Sequence, residues 1–391
     1  MEGLEFKNFI PTSAMHEPLF NKKGTRGGID VTFLILVLIL LTFGLVMLFS
    51  ASYAYAFYNE GDSFHYIKRQ LFFAVAGVAA MLFISQVNYK ILQKYSLALF
   101  GVTLVLLVLV LFMRDANGFA RWIYVGNRFS FQPSEVAKFA IIVLFAHFAS
   151  QNADKMKTFK YGVLPFAAAL GTVALLVVVE NHLSGTILIG LLGICMMFLG
   201  GTDLKWFAVL IGAGIAAVLV ILAVPGLVEY AETRIAIWQD PSIDPQGDGF
   251  QTLQSLIAIG SGGIWGSGIG NSRQKYLYIP APQNDFVFFI VCEELGFVGA
   301  SIIVLLFALL VWRGFVIAMR AKDRFGALLA AGCTLHVGMQ AAFNIAVVTN
   351  TIPNTGISLP FFSYGGTALL MALGEMGVVL SVSRGAVLEK E

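Results

Sequence analysis

Long unbroken apolar stretches, each bracketed by short polar ones, set the pattern of this chain. Ten of them have about the 20 residues that a helix needs to cross a hydrocarbon core of about 30 Å. They fall at roughly 29–52, 66–87, 91–113, 134–150, 161–180, 183–201, 204–224, 284–312, 324–349 and 363–384. An outer-membrane barrel would instead alternate apolar and polar residues over segments of about 10 residues. The pattern therefore predicts an all-α polytopic membrane protein with ten transmembrane helices. Its organisation is a tail at 1–28, a membrane domain at 29–384 and a tail at 385–391. One connection departs from the short links. Residues 225–283, between helices seven and eight, form a large loop. Its helical periodicity from Thr252 to Ile259 and its glycine hinges predict a structured segment. The link at 350–362 carries no charge but holds Pro353, Gly356 and Pro360, and is expected to re-enter the bilayer edge packed against protein.

Composition narrows the class. The chain of 391 residues is 58% hydrophobic and 12% charged, against about 25% charged in a soluble domain. A net charge of +2 gives no reason to expect nucleic acid. Cys195, Cys292 and Cys333 all lie within apolar runs and show no disulfide or metal spacing. Residues 1–28 are polar and the first apolar run is long enough to span, so no cleavable signal is expected.

Charge then orients the helices. An even number of spans puts both termini on one side. That side gathers Lys7, Lys22, Lys23 and Arg26, the loop lysines Lys90, Lys94, Lys155, Lys157 and Lys160, and the cluster Arg313, Arg320, Lys322 and Arg324. Positive loops lie inside, so both termini are expected in the cytoplasm and the 225–283 loop outside. Basic residues that break this bias carry more information. Arg114, Arg121 and Arg128 fall in the outer loop 114–133, and Arg234, Arg273 and Lys275 in the long outer loop. They suit an anionic ligand or pairing with nearby acids.

The polar residues of a greasy chain mark its chemistry. Asp285 opens span eight after the basic and polar run Arg273-Gln274-Lys275. Such an aspartate caps a helix, and a capping carboxylate can also act as a base. Taking about 100° per residue, Glu293 lies about 80° round the helix from Asp285 and Glu294 opposite, which gives those two structural roles. Pro133, Ser134 and Glu135 start span four, and Glu135 shares a helix face with Lys138. That pair either holds helices together or presents the lysine to an anionic head group. His336 reads as a hydrogen-bonded interior histidine, and Gln340 and Asn344 as bonds across helices. Ser363 has no base in a recognisable pattern, so its glycine-rich run reads as tight packing. No Walker, Rossmann or zinc pattern is present. Cations that hold a departing pyrophosphate and a carboxylate that takes a hydroxyl proton are what a membrane glycosyltransferase needs.

Four blocks carry a resemblance over about residues 30–385. They are Ala120-Arg121-Trp122-Ile123 with Phe131-Gln132-Pro133-Ser134-Glu135, the turn His182-Leu183-Ser184-Gly185-Thr186, the run from Gln254-Ser255 to Gly260 with Asn284-Asp285-Phe286 through Gly296, and Pro353 through Gly366. Together they resemble the SEDS family (shape, elongation, division and sporulation), the peptidoglycan glycosyltransferases of the bacterial cytoplasmic membrane. The resemblance implies polymerisation of lipid II onto a nascent glycan strand at the outer face. The reaction is inverting, with undecaprenyl pyrophosphate as leaving group. Asp285 matches the family's aspartate, the base for the acceptor hydroxyl. Arg121, Gln132, Glu135, Lys138, Ser255, Gln274 and Lys275 are the expected substrate contacts. No cofactor is fixed, though Mg²⁺ or Mn²⁺ would help neutralise the pyrophosphate. The partners implied are a class B penicillin-binding protein and other divisome or elongasome proteins. The Ser-Tyr-Gly-Gly block is nearer the division and sporulation branch. Gln283, Asn181, Asn350 and Asn354 depart from the family pattern. A lipid II flippase and a non-catalytic scaffold for the transpeptidase are the competing readings.

Overall fold

The structure, a computed structural model, describes residues 27–113, 121–125, 129–180, 182–209, 212, 235–244, 247, 249–275, 283–354 and 356–385. It is a bundle of helices: α1 (Val31–Glu60), α2 (His65–Ile84), the short α3 (Lys90–Lys94), α4 (Ser96–Val110), α5 (Pro133–Gln151), the short α6 (Phe159–Gly162), α7 (Leu164–Val179), α8 (Leu183–Leu199), α9 (Phe250–Gly262), α10 (Val287–Met319), α11 (Arg324–Val348) and α12 (Gly366–Gly385). Among the described residues seven helices are long and apolar enough to cross a membrane, and Ser96–Val110 and Ser184–Leu199 are shorter apolar helices. The expected span at 204–224 begins as helix at 204–209 and lies mostly outside the described residues. The expected outer loop 225–283 is described in part: α9 contains the periodic run from Thr252 to Ile259. Arg114, Arg128, Arg234 and Asn181 also lie outside the described residues.

The centre of the bundle is α5, α10, α11 and α12. The first two turns of α10 are buried on every side, from Val287 to Glu294, as is most of α5. The bundle's two chain ends meet at one face. Asp30 accepts from Phe33 N–H as the N-cap of α1, and its own N–H donates to Ser383 Oγ at the end of α12. Arg313, near the end of α10, closes on the same carboxylate at 2.8 Å. Asp323 caps α11 through Gly326 N–H and takes a hydrogen bond from Tyr89.

A break in α10 fixes the opposite half. Gly296 has φ 66°, ψ −169° inside an otherwise helical run. Four backbone groups that lose their helical partners there are picked up by the turn after α9. Ser267 and Gly268 donate to the Glu293 and Glu294 carbonyls, and Phe297 and Val298 donate to Gly263 and Ile264. The approach is so close that a Cβ at Gly262, Gly266 or Gly296 would collide with the facing backbone. Glycine is needed at Gly296 twice over, for its left-handed φ and for this contact.

The charge-free link at 350–362 is held by buried amides. Gln340 Nε2 donates to the Ser358 carbonyl and hydroxyl, and Asn344 Nδ2 to the Ile357 carbonyl at 2.6 Å. Gln70 on α2 donates to the Ser363 carbonyl and accepts from Gly365 N–H. Backbone that enters apolar surroundings must find partners in the protein, and these three side chains supply them. Asn350, with φ 56°, exchanges hydrogen bonds with both ends of Trp238.

Candidate active site

Asp285 lies two residues before α10, beside the link that precedes α12. Asn344 Nδ2 donates to the Asp285 carbonyl at 2.6 Å, and the same amide holds Ile357. Tyr364 N–H donates to the Gln283 carbonyl, which ties the chain just ahead of Asp285 to the start of α12. Gly356, at φ 64°, lies against the carboxylate: a Cβ there would stand 3.3 Å from Oδ2. The Asp285 carboxyl is thus fixed by its backbone and left without an ion pair among the described residues. Burial pushes its pKa up to about 7, while the Arg121 guanidinium pulls the other way. A carboxyl with that pKa is half ionised at neutral pH, which suits a general base.

Arg121 precedes a small antiparallel hairpin, β1 (Ile123–Val125) paired with β2 (Phe129–Phe131), that feeds directly into Pro133 at the start of α5. Its charge acts on two carboxyls. The second is Glu180, at the end of α7, which is 0% exposed. Neither Glu180 oxygen has a hydrogen-bond partner among the described residues. Burial raises its pKa to about 8, again opposed by Arg121. His182 follows, with Nδ1 3.5 Å from Gln132 Nε2 and 3.4 Å from Ser134 Oγ, contacts that seat the α7–α8 turn on the head of α5. Burial, with Arg121 and Lys138 adding to it, brings His182 down to about 4, so it is neutral at pH 7.

Glu135 and Lys138 sit one turn into α5. Lys138 Nζ lies 2.8 Å from Glu135 and 3.1 Å from Gln340 Oε1, and both charged side chains are nearly fully buried. Of the two readings that the sequence left open, the structure has the mutual ion pair.

The remaining expected contacts are placed elsewhere. Lys275 is 3% exposed, and its ammonium is taken by Glu294, Ser50 Oγ and the Gly270 carbonyl. Glu293 accepts from Ser272 Oγ and Arg273 N–H. Both glutamates thus anchor the turn after α9 to the first half of α10, as their angle from Asp285 foreshadowed. Ser255 is 0% exposed and bonds the Thr252 and Val348 carbonyls, joining α9 to α11. Gln274 buries its carbonyl oxygen without a hydrogen-bond partner among the described residues. Asp285, Arg121 and the Gln132 end of α5 are therefore brought together, while Ser255 and Lys275 are spent on internal packing.

Sequence reasoning missed Glu180 as a site residue. Its only signal is a carboxylate closing an apolar run. His336 is the hydrogen-bonded interior histidine the sequence predicts, but its partner, Glu375 Oε2 at 2.8 Å on α12, was not foreseen, since the two lie on separate helices.

Among the described residues no three His, Cys, Asp or Glu side chains come together to hold a metal ion.

Known proteins match this chain in sequence and fold. A family model described as "Cell cycle protein", FtsW/RodA/SpoVE, matches residues 31–387. Stage V sporulation protein E of Bacillus subtilis (strain 168) is 42% identical over 360 residues, which cover 91% of this chain and 97% of that protein. The probable peptidoglycan glycosyltransferase FtsW of Geobacter sp. (strain M18) is 37% identical, covering 91% of this chain and 97% of that one. Among solved structures, a chain from a study of structural coordination of polymerization and crosslinking by a peptidoglycan synthase complex superposes with a TM-score of 0.75 at 29% identity, covering 92% of this chain and 99% of that chain. The rod shape determining protein RodA of Thermus thermophilus shares the fold, with a TM-score of 0.67 at 24% identity over 92% of this chain and 98% of that one.

Proposed function

The chain belongs to the FtsW/RodA/SpoVE family, and from that membership we propose how its site works. The protein is a peptidoglycan glycosyltransferase of cell division or sporulation. Asp285 is the base. It takes the proton from the hydroxyl of the acceptor sugar as that oxygen attacks the anomeric carbon of the donor. The bond to pyrophosphate breaks on the opposite face, with inversion, and lipid pyrophosphate departs. Arg121 supplies positive charge to the departing phosphate, and preorganised charge of this kind stabilises a transition state at little cost. Gln132 and the head of α5 form the adjoining wall. Lipid II is the substrate that fits this chemistry.

The observation that carries this reading is one carboxyl. Asp285 is fixed at its carbonyl by Asn344, lacks an ion pair among the described residues, and has a pKa raised to about 7.

The two shorter apolar helices and the stretch at 204–224 complete ten spans in this proposal. The face where Asp30 meets Ser383 carries Arg313, Lys322, Arg324 and Arg384, which supports cytoplasmic termini in a bacterial cytoplasmic membrane and an outer site. A class B penicillin-binding protein is the partner that would cross-link the product.

The test is polymerisation of labelled lipid II by the purified protein, alone and with its transpeptidase, for wild type and Asp285→Asn. Glycan strands from wild type and none from a folded, partner-bound variant are expected. Equal strands from both would reduce Asp285 to a structural residue. No strands from either, with partner and divalent cation present, would favour a flippase or scaffold.

A further inference from the structure

The break at Gly296 cuts the head of α10 off from the rest of the helix. Asp285 rides on this head. Phe289 N–H donates to the Phe286 carbonyl, which carries the helical turn to the residue beside Asp285. The head is buried all round, and Val287 to Cys292 bring only aliphatic, aromatic and thiol surface to that contact. Apolar contact is non-directional, so such a helix takes its angle chiefly from polar ties. At the upper end those ties reach main-chain carbonyls, from Asn344 to Asp285 and from Tyr364 to Gln283.

At the foot they reach two adjacent carboxylates. Glu293 accepts from Ser272 Oγ at 2.5 Å and from Arg273 N–H at 2.8 Å. Glu294 accepts from Ser50 Oγ on both oxygens, at 2.6 and 2.8 Å, from Ser272 N–H at 3.2 Å and from Lys275 Nζ at 3.1 Å. All four carboxylate oxygens are engaged. Neighbouring residues point about 100° apart round a helix, so two held carboxylates stop a rotation that one would permit. Their partners also come from two elements. Ser50 belongs to α1, and Ser272, Arg273 and Lys275 to the turn after α9. That turn is already docked in the break by four backbone hydrogen bonds, so attaching it does not need the carboxylates. Nor does stability by itself, because a buried ion pair is seldom firmer than an apolar pair of the same size.

Angle matters at the other end. Asp285 is nine residues from Glu294, about 14 Å along the axis, and its carboxyl stands about 6 Å off that axis. Turning the head by about 15° would carry the carboxyl about 1.5 Å, and a misplacement of about 1 Å can cost about 10²-fold in rate.

We propose that Glu293 and Glu294 are positioning residues for the reaction: held by Ser50, Ser272 and Lys275, they lock the angle of the α10 head and so aim the Asp285 carboxyl. This rests on the reading of Asp285 as the base and adds to it a device that touches no reacting atom.

Two measurements on the full-length protein test it. The first compares lipid II polymerisation kinetics and thermal melts of wild type, Lys275→Met/Glu294→Leu and Lys275→Met/Glu294→Gln. Both double variants remove the buried charges together, which keeps the melt close to wild type. Leucine has no acceptor for Ser50 Oγ and Ser272 N–H, whereas glutamine keeps one. The leucine variant is expected to lose about a hundredfold in kcat with KM nearly unchanged, and the glutamine variant to recover most of it. A wild-type kcat in a folded leucine variant would overturn the proposal, as would equal losses in the two. The second measurement needs no turnover and covers a leucine variant that does not fold. Spin labels at the exposed positions Asn284→Cys and Lys68→Cys, in a Cys195→Ala background, give the distance from the Asp285 stretch to α2. It is measured with Ser50 intact and with Ser50→Val, which takes both Ser50 hydrogen bonds from Glu294. A distribution that moves or broadens in Ser50→Val supports the lock, and one that superposes on the parent overturns it. Should Asp285→Asn polymerise as well as wild type, the base reading fails by itself, and the label distance still reports whether the lock aims this stretch.

Discussion

Two acid–base clusters sit at the head of this bundle, and they are built on opposite principles. At Glu135–Lys138 the two charges stand 2.8 Å apart on one turn of α5, both buried, with Gln340 completing the lysine's shell. At Asp285 and Glu180, two carboxyls face a single guanidinium, Arg121, and both are pushed above the usual carboxylate range. Compensated charge inside a membrane protein holds helices; uncompensated charge stores reactivity. The comparison sets a compensated ion pair beside carboxyls without one, where the sequence offers Glu135 and Lys138 as a pair on one helix face and Asp285 as a charge at the mouth of an apolar run.

The largest effect should come from Asp285→Asn. General base catalysis contributes about 10²–10⁴-fold, so polymerisation should fall at least a hundredfold while the protein stays folded. Stability should move the other way, and the sign follows from proton counting. An unfolded aspartate titrates near about 3.9, whereas the folded Asp285 titrates at about 7. Between those values the folded state holds more protons, so wild-type stability falls as pH rises through that window. The asparagine variant lacks this loss. It should melt with wild type near pH 4 and above it at pH 8, by about 2 kcal/mol after allowance for partial exposure. Matching melting curves at both pH values would remove the idea that Asp285 is held at a cost to folding.

Lys138→Ala should act on stability first. Removing one partner of a buried ion pair costs about 3–5 kcal/mol, because the other charge is left buried and alone. Thermal unfolding of the single variant and of Glu135→Gln/Lys138→Met checks this, and the double variant should regain most of the loss. A Lys138→Ala protein that melts like wild type yet makes no glycan would break the comparison and move Lys138 to the reacting side.

Gly296→Ala tests the scaffold on which both clusters rest. The substitution puts a side chain at a left-handed φ and drives a methyl into the backbone of the turn after α9. A loss of about 3 kcal/mol is expected from the strain and overpacking together. Circular-dichroism melts would show it. An unchanged melt would mean that the α9 turn docks on α10 by side chains alone.

What the sequence made legible follows from distance along the chain. Hydropathy is a local property, and the described helices fall where the apolar runs predict them. Asp285 stood out in the sequence because it follows a polar, basic run at the head of an apolar one and matches the aspartate of the family that the chain resembles. The pairing of Lys275 with Glu294 was not legible, since it depends on a turn folding back onto α10, and that close approach needs several glycines, Gly296 inside an apolar run among them. Gly296 looks there like any other small residue. Ser255, expected as a substrate contact from the resemblance, is turned by α9 onto α11. Glu180 needed the α7–α8 turn to be laid against α5 before its burial meant anything.

The finest test of the comparison is Arg121→Ala, because Arg121 has two separable jobs. As a counter-charge it lowers the pKa of both Asp285 and Glu180. As a phosphate ligand it would stabilise the leaving group at any pH. Removing it should raise the Asp285 pKa by about one unit, the low end of what a nearby opposite charge does. Less base is then ionised at pH 6, and the acid limb of kcat/KM moves upward by the same amount. At pH 9 Asp285 is ionised in both proteins, so any loss that remains there belongs to the phosphate. A pH profile of lipid II polymerisation separates the two. A limb that moves without a plateau loss makes Arg121 a tuning residue for the base. A plateau loss with the limb in place makes it a phosphate ligand and leaves the high Asp285 pKa to burial alone. Because Glu180 answers to the same guanidinium, Glu180→Gln should shift the limb in the opposite direction and by less, since it frees Arg121 to act on Asp285.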